Sequence, residues 1–235
     1  MTGAATGRGA DLRDVLVSGL GPLRRRLSPE LAGIGPTRHL ALTYDDGPDP
    51  VSTPHFLRLL ERTGLRATFF VLGEHAAPQR RLLREMVAAG HELGVHGWDH
   101  RCVLRTRRDR LVDEVRRTAV VVEDLTGAPV RWYRPPYGVL SPAALVAARA
   151  AGLRPVLWSA WGRDWERHAT PSRIVSSLSA RSGRAARCCC TTPTAPRLRV
   201  RGDAPWRRAS SCSPGGPRPG PTWDLWPTTG STGER

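Results

Sequence analysis

Between residues 39 and about 180, short apolar runs alternate with segments of helical period. That alternation restricts the chain to βα units on a parallel sheet or barrel. Strands are predicted at His39-Leu-Ala-Leu-Thr-Tyr44, 67–72, 92–95, 130–133 and 155–159. Between and after them the spacing predicts helices over 53–61, 78–89, 109–125, 141–151 and 171–179. Gly90, Gly127 and Gly152 stop three of these helices, and Pro142 suits a first helical position. A chain of 235 residues accommodates one such domain, here 38–180, with an extension at either end. Residues 1–37 form a Gly- and Arg-rich leader with one short helix expected around Leu12 to Leu20. Residues 181–235 hold eight Pro and seven Gly but only three residues of the Leu, Ile, Val, Phe and Met class. Such a stretch cannot offset an ordering entropy of roughly 1–2 kcal/mol per residue, so a disordered tail is expected there.

Charge and cysteine narrow the function classes. The net charge is +15, of which the tail carries +7 with ten Arg against three acids. All 36 basic residues are Arg, and Lys and Asn are both absent. A GC-rich genome accounts for that bias, since Lys and Asn use AT-rich codons, and no nucleic-acid partner is expected. Cys102 stands alone in the first 187 residues, while Cys188, Cys189, Cys190 and Cys212 crowd the end. One isolated thiol implies no disulfide framework, and without a CxxC pair the cysteines do not read as a zinc site. No stretch approaches about 18 uninterrupted apolar residues, so no membrane span is expected. The start has the wrong order for a secretory signal, which gives a cytoplasmic expectation. Nothing in the sequence bears on oligomeric state.

Polar clusters fall where the predicted strands stop, which is where βα folds build their sites. Asp45 and Asp46 close the first strand; His96 and His100 follow the third; Arg134 and Tyr137 follow the fourth; Asp164 and Trp165 follow the fifth. Each cluster alone has an innocent reading. Asp, Gly and Pro all suit a turn, and histidines four apart share a helical face without necessarily sharing a metal. The four together, each after a strand, are hard to explain as turns.

Leu42-Thr-Tyr-Asp-Asp-Gly-Pro48, His96-Gly-Trp-Asp-His100, Arg134-Pro-Pro-Tyr-Gly138 and Gly162-Arg-Asp-Trp165 resemble the first four motifs of the polysaccharide deacetylases. These are the NodB-homology domains of carbohydrate esterase family 4. The resemblance implies an α/β fold, a distorted (β/α) barrel, and hydrolysis of acetyl groups from acetylated polysaccharides such as chitin or peptidoglycan. It also implies a divalent metal, zinc foremost, on Asp46, His96 and His100, with one position left open. In the same reading Asp45 is the general base and Arg134 orients it and keeps it ionised. The Tyr137 backbone N–H steadies the oxyanion, and Trp165 walls the acetyl pocket.

Two departures matter. Gly97 stands where the family has Ser or Thr, which removes a hydroxyl expected to brace the loop between the histidines. The family's fifth motif is a Leu-rich strand ending in His-Asp, whose His is the general acid paired with the motif-four Asp, here Asp164. No His follows His168 in this chain. If Arg187 to Thr192 are encoded CGG TGC TGC TGC ACG ACT, reading one base earlier gives Val-Leu-Leu-His-Asp. The expectation is therefore a frameshift just before Cys188, a barrel incomplete at its last strands, and a catalytically impaired chain.

Overall fold

The computed structural model describes residues 31, 41–162, 164, 169–181 and 187–191. The leader apart from Leu31, and the tail from 192 onward, lie outside the described residues.

Seven strands pair in parallel: β1 (Ala41–Gly47), β2 (Thr68–Leu72), β3 (Glu92–Gly97), β4 (Trp132–Tyr133), β5 (Arg154–Pro155), β6 (Ala160–Trp161) and β7 (Arg187–Thr191). Their order across the sheet is β5-β4-β3-β2-β1-β7-β6. The crossovers are α1 (Thr53–Thr63), α2 (Gly73–Ala76), α3 (Arg80–Ala88), α4 (Arg108–Thr126), α5 (Pro142–Ala150) and α6 (Pro171–Arg181). This is the α/β architecture that the alternating pattern predicts. Ser141 accepts the Ala144 N–H at 3.1 Å ahead of Pro142, so α5 starts where its sequence signals place it.

β2 lies between two strands and is buried at every position, as a central parallel strand must be. Successive side chains point to opposite faces. Phe69 accordingly joins the large core with Tyr44, Leu60, Leu83 and Met86, while Phe70 joins a smaller one with Trp132 and Val156.

Three local expectations are corrected. The helix expected over 78–89 is preceded by a separate turn, α2, and itself begins at Arg80. The strand expected over 155–159 is two short pieces, β5 and β6. Pro155 cannot donate to a ladder, and it sits accordingly on an edge strand of the sheet. Lastly, Arg187–Thr191, inside the segment expected to lack order, pairs with both β1 and β6. Three consecutive cysteines are a short apolar run, since a free Cys behaves as a small hydrophobe, and a strand tolerates that.

Candidate active site

The site gathers at the carboxyl ends of β1, β3 and β4. Asp45 and Asp46 are neighbours on β1 and would point to opposite faces of a regular strand. β1 is not regular there: its register against β2 shifts between Tyr44 and Gly47, and Asp46 takes a left-handed φ of 71°. That conformation costs a non-glycine residue on the order of 1–3 kcal/mol. Among the described non-glycine residues only Asp46 and Tyr137 (φ 59°) adopt it, and both stand at this site.

Asp46 Oδ1 lies 3.2 Å from His96 Nε2 and 3.2 Å from His100 Nε2. One ligand atom from each of the three residues falls within 4.8 Å of the others. Tetrahedral ligands at zinc bond lengths stand about 3.3 Å apart, so the spacing suits such an ion. Asp46 Oδ1 is buried yet makes no hydrogen bond of acceptable geometry. The three atoms therefore face a shared point more than they face one another. His96 Nδ1 donates to the Arg134 carbonyl at 2.7 Å, which leaves Nε2 as the nitrogen that could ligate an ion. The donor set of two imidazoles and a carboxylate fits a divalent metal.

Electrostatics agree. Burial alone would raise the Asp46 pKa, but the imidazoles of His96, His100 and His75 outweigh it and hold the carboxyl below its usual value. Burial works against protonation of His96, and Asp45 and Asp46 reverse that, raising its pKa. His100 is shifted down by burial and by its neighbour His96. The two histidines, four apart in sequence, do not share a helical face. His96 is on β3 and His100 on the bend after it, their ring centroids 5.3 Å apart.

Beside this trio, Arg134 Nη1 donates to Asp45 Oδ1 at 2.7 Å and to Thr43 Oγ1 at 2.8 Å, and Nη2 to the Leu157 carbonyl at 3.3 Å. The guanidinium is fully buried and lies 3.9 Å above the Phe70 ring. Asp45 is thus fixed by a charge-assisted bond in a place that water does not reach. Tyr137 packs edge-on against His100, with centroids 4.4 Å apart. Asp164 is half-buried in the turn after β6, at the same end of the sheet. Trp165 lies outside the described residues.

The loop between the histidines is braced despite Gly97. Thr118 Oγ1, on α4, shares its proton between the Gly97 carbonyl at 3.0 Å and the Glu114 carbonyl at 2.9 Å, and the Glu74 N–H donates to the Trp98 carbonyl at 3.0 Å. Arg117 covers the Trp98 ring at 3.5 Å. Gly97 has φ 129°, which disfavours any side chain at that position. Sequence reasoning missed Thr43, Thr118 and His75. His75 was within reach of the strand-end rule, because it stands just past β2, the one predicted strand whose end was not searched.

A parallel βα sheet carries a two-histidine, one-carboxylate cluster that could hold a metal ion, beside a buried Asp–Arg pair. Residues 32–156 match the family model described as polysaccharide deacetylase, and the chain belongs to that family. It is 39% identical over 145 residues to a chitooligosaccharide deacetylase of Bradyrhizobium sp. (strain ANU 289), covering 61% of this chain and 66% of that one. It is 33% identical over 138 residues to the peptidoglycan-N-acetylglucosamine deacetylase PgdA of Listeria monocytogenes, covering 59% and 29%. The chain thus spans less than two thirds of these curated relatives. Among solved structures, a family 4 carbohydrate esterase from Streptomyces lividans superposes with a TM-score of 0.62 at 30% identity, over 66% of this chain and 79% of that one. The parallel α/β sheet with its helices is the fold expected from the motifs, and it is shared with that esterase. No helix among the described residues is long and apolar enough to cross a membrane.

Proposed function

We propose that this chain is built to remove acetyl groups from the N-acetylated sugars of a chitin- or peptidoglycan-like polymer, using a divalent metal, zinc by its donor set. The observation that carries the reading is the convergence of Asp46, His96 and His100 beside the Arg134-held Asp45. A metal held by the trio would polarise the amide carbonyl and make water more acidic. Asp45, adjacent to the trio and not part of it, takes the proton of the attacking water as general base. Arg134 fixes the direction of that carboxylate. The Tyr137 N–H, presented by its left-handed backbone, donates to the oxyanion, a contact worth about 2.7–4 kcal/mol.

The test is release of acetate from N-acetylglucosamine oligomers by the zinc-loaded chain. Asp46→Ala is expected to lose zinc and activity together. Asp45→Asn is expected to keep zinc and lose turnover, and the reverse pattern would overturn the assignment.

The second reading is a chain of this family impaired in leaving-group protonation. It is favoured by the absence of any His after His168 and by the register of β7, in which Thr191 is the Cα partner of Asp45. In the alternative reading frame the His of Val-Leu-Leu-His-Asp falls at position 191. Asp164 is the partner such an acid needs. On this reading the frame-restored chain exceeds the present one by about 10²–10⁴-fold in kcat, the usual worth of such a proton donor. Equal rates would sink it.

A further inference from the structure

β2 lies between β1 and β3 in the sheet, so the turn that follows it, α2, sits between the two segments carrying the Asp46 and His96–His100 ligands. α2 touches both. The Glu74 N–H bonds the Trp98 carbonyl at 3.0 Å, inside the His96–His100 loop. His75 Nδ1 lies 2.9 Å from the Asp46 carbonyl. A carbonyl only accepts, so the ring must carry its proton on Nδ1 and donate. The contact holds the peptide of Asp46 at its left-handed φ of 71°, a conformation that local sterics oppose. The turn is seated tightly: a Cβ on Gly73 would meet Trp98 Cε3 at 2.4 Å and Thr118 Oγ1 at 2.6 Å.

We infer that His75 is a positioning residue for the metal centre. Its imidazole ties the carboxylate-bearing strand to the turn that also holds the histidine loop, setting the carboxylate-to-imidazole spacing before any ion arrives. The inference rests on the metal site proposed above. His75 touches neither substrate nor the reacting atoms, and being half-exposed it tolerates replacement. Neighbours that orient ligands typically change metal affinity 10- to 100-fold when removed.

The experiment titrates the metal-free full chain with zinc against a chromophoric chelator, for wild type, His75→Leu and His75→Asn, with the visible spectrum of the cobalt(II) form and the Tm of the metal-free form alongside. His75→Leu is expected to weaken zinc roughly 10- to 100-fold and to alter the cobalt bands. His75→Asn, whose amide donates from near the Nδ1 position, is expected to restore both. Unchanged zinc affinity in His75→Leu, even with a lowered Tm, overturns the inference. So does an equal loss in both variants. A wild-type chain that takes up no zinc instead overturns the metal site on which the inference rests.

Discussion

At the scale of single residues, burial decides which substitutions are costly. Arg134 and Asp45 are 0% and 3% exposed, and each is the other's counter-charge. Arg134→Leu is expected to lower stability by about 3–5 kcal/mol, because the buried Asp45 carboxylate loses the guanidinium that compensates its charge. Chemical denaturation of the metal-free chain measures this. His91 makes a second case. Its Nδ1 accepts the Ala67 N–H at 3.3 Å, and burial, then Arg66, holds its pKa below 6.5. A depressed histidine pKa favours the folded state when the ring is neutral. The contribution is therefore present above pH 6.5 and is lost as pH falls through the lower folded value. Urea midpoints collected from pH 8 down to about 5 should fall, and His91→Gln should flatten the trend.

At the scale of elements, the loop between His96 and His100 depends on partners from other parts of the chain. Thr118→Val keeps the shape but leaves the Gly97 carbonyl without its donor, an expected loss of about 1–3 kcal/mol. Gly73→Ala should also cost about 1–3 kcal/mol by overpacking against Trp98, and should weaken zinc uptake by shifting the loop. Denaturant midpoints with a zinc titration separate the two effects. Much of this level was legible in advance. Alternation of apolar runs and helical period located every α-helix among the described residues but the single turn α2, and the strand-end rule picked out Asp45, Asp46, His96, His100 and Arg134, which the fold brings together. Side-chain bonds to distant backbone were not legible. The Thr118 hydroxyl acts 21 residues from Gly97 and the His75 imidazole 29 from Asp46, separations at which no local pattern exists. The bulge of β1 was hidden for a related reason. A left-handed aspartate looks like any other aspartate in a sequence, and here it makes two adjacent acids serve one site.

At the scale of the whole molecule, β7 carries the most weight for its length. Five residues fill the space between β1 and β6, and without them both strands have open edges. A chain ending after Arg181 is expected to aggregate at concentrations where the full chain stays monodisperse, as light scattering would show. Composition counted over 55 residues could not isolate a five-residue strand. Among the described residues β1 is the first strand of the sheet and its neighbour β7 the last in sequence, so β1 is paired on that side by a segment made well after it. Until about residue 191 emerges, a nascent chain must carry β1, with the Asp45 it bears, along an unguarded margin. Synthesis is thus the period when this protein most needs a chaperone's shelter.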